Sequence, residues 1–205
     1  MSGGRPSPMR SFDPRTVGAL ECRAWVTYYR REWFALLVAS VGLVRAGFRM
    51  RWDRTLRGAW LVLRANQLWA PDDNDPVGAR RCMSRFYRLV AADSGEAVDV
   101  AEAARLEVDW WRAHREVQRG PVDNGAGPRG HQELVAALVR LYAYLYRTEP
   151  DAVQEAAELR AEAMHVSDRW VAEGCEVASP LVAEERALLV RSYASLLSAV
   201  YTLSP

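Results

Sequence analysis

The sequence predicts an all-α protein, a helical bundle of about seven helices within a single domain. Apolar residues recur every three or four positions through several long segments, the spacing that forms one face of a helix. No segment shows the alternation of apolar and polar residues that a half-buried strand requires. In four places a polar residue before a proline, a pair that often opens a helix, comes directly before a predicted helix: Asp13, Asp75, Glu149 and Ser179.

These signals place the elements in order. Residues 1–12 are expected to form a flexible N-terminal tail, and residues 13–205 the all-α domain. A loop is expected at 120–130, because this segment holds four glycines and two prolines. The predicted helices cover about 14–48, 54–70, 76–92, 98–119, 131–147, 150–173 and 180–203.

The fourth predicted helix carries two ionisable residues within an aromatic stripe. Trp110 and Trp111 lie on its apolar face, and Glu107 and His114 lie at the centre of that face, two turns apart. A buried carboxylate or imidazole needs partners, and burial shifts its pKa toward the values of an acid–base or metal site. We therefore expect both side chains to be buried, each with a polar or metal partner from another helix. A structural pair bonded to Arg or Tyr is the alternative.

The first predicted helix brings a second aromatic face to this site. Trp25, Tyr28 and Glu32 share one face, so Glu32 or Tyr28 is the expected partner of Glu107 and His114. An ion pair of Glu32 with a nearby arginine is the alternative. The sequence thus predicts an internal site for a small molecule or metal, with acid–base or oxidative chemistry. Its catalytic candidates are Glu107, His114 and Glu32, and its ligand-binding candidates are Trp25, Tyr28, Trp110 and Trp111.

A transition metal is the one cofactor that the sequence suggests. Glu107 and His114 are candidate ligands, with His131 as a reachable third. Glu162 and His165 show the Glu-x-x-His spacing of di-iron helical bundles, although Glu162 points away from the apolar face of its helix.

A non-catalytic interaction or scaffold protein is the alternative function. Residues 1–90 carry 16 arginines and seven acidic residues, whereas residues 91–205 carry 11 and 19. This asymmetry indicates either an anion-binding half or two halves that attract each other. The most basic segment could contact phosphate, a protein partner or an anionic membrane surface, with a solvated corner as the expected outcome. It contains Arg45, Arg49, Arg51, Arg54 and Arg57, interleaved with Phe48 and Trp52.

Other classes lack their signatures. The sequence has no P-loop, GxGxxG, GxSxG or HExxH motif. No nucleic-acid partner is expected, because the N-terminal DNA-reading unit of tetracycline-repressor-type regulators is absent. Three cysteines without a CxxC pair predict reduced thiols in the cytoplasm, and no apolar run reaches the length of a transmembrane segment. The sequence indicates neither the identity of a ligand nor the oligomeric state.

The acidic run 72–75 resembles the aspartate-rich motifs of magnesium-dependent prenyl-chain enzymes over four residues. Those motifs lie within a helix and come with a second acidic motif, which this sequence lacks. Pro71 and Pro76 bracket the run, so a loop ending in a helix cap is expected.

Overall fold

The proline-marked starts predicted from the sequence do begin helical segments in the computed structural model, which describes residues 7–119 and 128–201. Pro14, Pro76 and Pro180 each begin an α-helix, and Pro150 begins a short 3-10 turn before one. The all-α prediction is confirmed, with eight α-helices in the described residues. They are α1 (Pro14–Tyr29), α2 (Trp33–Phe48), α3 (Trp52–Trp69), α4 (Pro76–Ser94), α5 (Val100–Arg119), α6 (Pro128–Tyr146), α7 (Gln154–Ala172) and α8 (Pro180–Tyr201).

Two aspartates cap these helices as the sequence indicates. The Asp13 carboxylate accepts a hydrogen bond from the Thr16 backbone N–H at 3.0 Å, and that of Asp75 accepts one from Gly78 at 2.8 Å. Each bond satisfies a backbone donor that the first turn of a helix leaves without a partner. For Asp75, helix capping is the observed role.

The prediction of one continuous helix over 14–48 is wrong. The chain turns at Arg31, which adopts the left-handed conformation with φ 60°. The turn is closed by the Glu32 backbone N–H, which donates to the Thr27 carbonyl oxygen at 2.9 Å. No glycine or proline marks this break. A long-range contact helps to hold it, because the Arg31 guanidinium donates to the Ala70 carbonyl oxygen at 3.1 Å.

Two expected segment boundaries also change. The predicted flexible tail covers residues 1–12, of which 1–6 lie outside the described part of the chain, whereas Met9 and Phe12 are buried in the core. Arg10 reinforces this contact by donating to the Tyr146 carbonyl oxygen at 2.7 Å. At the predicted loop, Pro128 already begins α6, and residues 120–127 lie outside the described part of the chain.

The helices form a closed circuit. Each helix packs mainly against its two neighbours in sequence, and α8 returns to pack against α1. Neighbouring helices lie about 8–10 Å apart, so a ring of eight leaves a central space that small side chains alone cannot fill. The main core cluster accordingly draws on all eight helices and is rich in aromatic rings. Within residues 7–119 and 128–201, no helix combines the length and apolar character needed to cross a bilayer.

Candidate ligand-binding site

A cavity of about 480 Å³ occupies the centre of the helical ring. Every one of the eight helices contributes to its lining. This volume lies within the range of pockets that enclose small organic ligands, roughly 300–1,000 Å³. Most of the largest lining side chains are aromatic: Trp25, Tyr28, Tyr29, Phe48, Trp69, Phe86, Tyr87, Trp110, Trp111, Tyr142, Tyr146 and Tyr193.

Glu107 lies among these rings with both carboxylate oxygens held. The Tyr87 hydroxyl donates to Oε2 at 2.6 Å, and the Trp110 indole N–H donates to Oε1 at 3.2 Å. Burial is the largest influence on the carboxyl and raises its pKa, although both hydrogen bonds oppose that shift. Glu107 is therefore an oriented carboxyl whose neutral form is favoured by its apolar surroundings.

A buried ion pair forms a second polar feature of the lining. The Arg160 guanidinium donates to Glu21 and, at 2.9 Å, to the Tyr142 hydroxyl. Its central carbon lies 4.9 Å from the centroid of the Trp110 ring. Within the described residues, Oε2 of Glu21 and Nε of Arg160 are buried without a hydrogen-bond partner. Beside the cavity, Oε2 can therefore accept one further hydrogen bond and Nε can donate one.

His114 is held by a network on the same face of α5. Its Nε2 lies 3.1 Å from Oδ2 of Asp168 on α7. The side-chain amide of Gln118 donates to the other Asp168 oxygen at 2.6 Å and to the Tyr29 hydroxyl at 2.9 Å. The network ties α5 to α1 and α7 and fixes the imidazole against the cavity.

The structure brings together most of the predicted site. Glu107 and His114 line the cavity, as do the four predicted ligand-binding residues Trp25, Tyr28, Trp110 and Trp111. The prediction that Glu107 and His114 each have a polar partner from another helix is confirmed, and both residues are partly buried.

The predicted source of those partners is wrong. Tyr87 and Asp168 take the place of Tyr28 and Glu32. Glu32 is exposed at the start of α2, and its carboxylate pairs with Nε of Arg30 at 2.7 Å. The turn at Arg31 explains this, because it removes Glu32 from the aromatic face of α1.

The candidate metal ligands do not form a cluster. Glu162 is exposed, whereas Nε2 of His165 lies 2.8 Å from Nδ1 of His131. Burial and the neighbouring His131 lower the pKa of His165, which favours its neutral form. Among the described residues, no three His, Cys, Asp or Glu side chains are grouped so that they could hold a metal ion.

Comparisons with known proteins add no functional assignment: no protein-family model, curated protein or solved structure matches this chain. The cavity itself is therefore the basis for inferring a function. Its walls can bind an apolar body by excluding water, and Glu107 can orient that body through a hydrogen bond.

Proposed function

We propose that this protein binds a small, largely apolar molecule inside the helical ring, with Glu107 as the polar contact at the centre of the site. The observation that carries the proposal is an aromatic-lined cavity of about 480 Å³ around a carboxyl that Tyr87 and Trp110 hold in place. Acid–base, oxidative or metal-dependent chemistry at this site stays a prediction from the sequence.

The composition of the walls favours this class of ligand. Aromatic rings bury large areas and contact flat or hydrophobic molecules at a low cost in conformational entropy. Each Glu107 oxygen accepts one hydrogen bond from the protein and has a second lone pair, so it can accept another from a hydroxyl or N–H group of the ligand. A few oriented polar groups in an apolar pocket are the usual basis of ligand specificity.

Binding can be tested with N-phenyl-naphthylamine, a neutral dye whose fluorescence rises in apolar surroundings. We expect saturable binding at one site per chain. Gly47 lines the cavity, and an added Cβ there would meet open space. Gly47→Phe should therefore fill part of the cavity and weaken binding about tenfold or more, whereas Gly47→Ala should leave it unchanged. Equal binding by the parent and the Phe variant would contradict the proposal.

The role of Glu107 has its own test. Naphthol and naphthalene differ by one hydroxyl, and we expect the protein to bind naphthol more tightly by about tenfold, as measured by calorimetry. Glu107→Leu should remove this preference and retain naphthalene binding. If the preference persists in the variant, Glu107 is not the polar contact.

A second candidate function follows from the outer face of α3. Trp52, Leu56 and Trp60 recur every four residues and are 60%, 55% and 53% exposed. Exposed apolar stripes of this kind mark interaction surfaces. Arg49 and Arg57 are also exposed and make no ion pair within the described residues. Indole rings beside uncompensated arginines fit an anionic membrane surface.

Vesicle sedimentation tests this second function. The parent protein should bind vesicles that contain phosphatidylserine and not vesicles of phosphatidylcholine alone. Replacing Trp52 and Trp60 by Gln should abolish binding without changing the fold, because both side chains are exposed. The matched control replaces exposed Tyr201 on α8 by Gln. Absence of binding by the parent would indicate that Trp52, Leu56 and Trp60, together with the neighbouring arginines, form ordinary solvated surface.

A further inference from the structure

The cavity has an entrance, which is marked by the exposed side chains among its lining residues. Arg31 lies in the turn between α1 and α2, and Asp72 follows α3. Gln118 and Arg119 lie at the end of α5, with half-buried Arg115 one turn before Arg119. The opening therefore lies where these three segments meet, and arginine is its most frequent side chain.

Two of these arginines donate hydrogen bonds to the same backbone segment, residues 69–71. Arg31 donates to the Ala70 carbonyl oxygen at 3.1 Å. Arg115 donates to the Trp69 carbonyl oxygen at 2.5 Å and to that of Pro71 at 2.9 Å. The Arg115 guanidinium also lies 4.6 Å from the Trp69 ring centroid. These contacts position both guanidinium groups at the rim of the apolar cavity.

The charges of these two arginines are not compensated. Arg119 pairs with Asp72 at 3.1 Å, but in residues 7–119 and 128–201 no carboxylate lies within ion-pair distance of Arg31 or Arg115. Both charges act on the Tyr28 hydroxyl, where they oppose the rise in pKa that burial causes. Their partners are neutral carbonyl oxygens and rings, so each guanidinium retains its full positive charge and several N–H donors.

We propose that the ligand is an organic anion, whose carboxylate, sulfonate or phosphate group binds Arg31 and Arg115 while its apolar body fills the aromatic cavity. This inference depends on the proposed function, because it specifies the ligand of the same cavity. A guanidinium presents a planar fork of N–H donors that matches these anionic groups. The apolar walls beside the entrance limit access of water to such a contact and strengthen it.

Two dyes that differ by one charged group separate the two proposals. Anilinonaphthalene sulfonate carries the same rings as N-phenyl-naphthylamine together with a sulfonate. The parent protein should bind the sulfonate dye about tenfold more tightly than the neutral one. Raising the salt concentration should weaken binding of the sulfonate dye alone, because dissolved ions screen the attraction between opposite charges.

Variants at the entrance test the assignment of the contact. Arg31→Met and Arg115→Met should each weaken binding of the sulfonate dye about tenfold and change the affinity for the neutral dye by no more than about twofold. Arg140→Met is the matched control, since Arg140 is exposed on α6 away from the cavity lining, and it should change neither dye. Retained binding of the neutral dye also shows that the variants fold.

The outcomes are distinguishable. The anion assignment is overturned, and the proposed function stands, if the neutral dye binds, the sulfonate dye binds no more tightly than the neutral one, and neither arginine variant changes its affinity. If neither dye binds the parent, both proposals fail.

Discussion

One side of the helical ring and the centre of the ring are packed differently. Where α1, α7 and α8 meet, small residues such as Gly18, Ala163 and Ser167 let the helices approach closely, and Ala163 and Ser167 are fully buried. The centre of the ring is lined by large aromatic rings and retains a cavity. Rigid rings that meet edge to face cannot fill a wide lumen completely, so the difference follows from side-chain shape.

Two glutamates, Glu107 and Glu185, show the same contrast. Glu107 borders the cavity and is held by Tyr87 and Trp110. Glu185 lies at the closely packed side with 0% exposure, and neither of its carboxylate oxygens has a hydrogen bond of good geometry in the described residues. Burial raises its pKa to about 8, while the adjacent Cys22 and Ser167 side chains oppose the shift. The oriented carboxyl is therefore the one that faces open space, as a ligand contact must.

The largest expected effect concerns Arg160, which reaches from α7 into the lining. Arg160→Met leaves the Glu21 carboxylate buried without its counter-ion. We expect the free energy of unfolding to fall by about 3–5 kcal/mol in urea denaturation. The double variant Glu21→Gln with Arg160→Met should recover part of this loss, because it leaves no buried charge. A loss below about 1 kcal/mol would indicate a water-filled lumen that solvates Glu21.

Two glycines compare the closely packed side with the cavity directly. A Cβ at Gly18 would lie 2.7 Å from the Val190 backbone nitrogen, whereas one at Gly47 would meet nothing within 4 Å. Gly18→Ala should therefore force α1 away from α8 and lower the free energy of unfolding by about 2–3 kcal/mol. Gly47→Ala should raise it by about 0.5 kcal/mol, since Gly47 lies in the last turn of α2 and alanine reduces the conformational entropy of the unfolded chain. Equal changes in stability at the two positions, measured by thermal unfolding, would contradict this difference in packing.

The last effect concerns Glu185 and builds up with pH. Its pKa is about 8 in the folded protein against 4.5 as the ordinary value, so the folded state binds the proton more tightly. The stability of the parent should therefore fall as pH rises from about 4.5 to about 8, by up to roughly 1.4 kcal/mol per pH unit. Glu185→Gln should remove this decline and be the more stable protein at pH 8.

Glu184→Gln is the control, because Glu184 is half exposed and pairs with Arg169 on the surface. It should retain the decline with pH. If Glu185→Gln also retains it, Glu185 is ionised or solvated in the folded protein.

The sequence predicted the parts of the site that depend on a single helix. The period of α5 places Glu107, His114, Trp110 and Trp111 on one face, and that face does line the cavity. The capping signals likewise predict where α1, α4 and α8 begin. Local spacing suffices for these features because each is determined within about two turns of one helix.

Features that arise between helices could not be predicted in the same way. Nothing in the local sequence at Tyr87 or Asp168 indicates that they bond to Glu107 and His114, because those contacts depend on how α4 and α7 pack against α5. The turn at Arg31 lacks a glycine or proline and is held partly by a contact with Ala70. Because this turn went unpredicted, Glu32 was placed in the site and Arg31 was missed at the entrance.

A crystal structure of the complex with anilinonaphthalene sulfonate tests the central claim most directly. The account predicts electron density for the rings inside the helical ring, in contact with Trp69 and Trp111, and for the sulfonate between Arg31 and Arg115. Dye bound only to the outer stripe of Trp52, Leu56 and Trp60, with the cavity empty, would contradict it and favour a surface that binds partners.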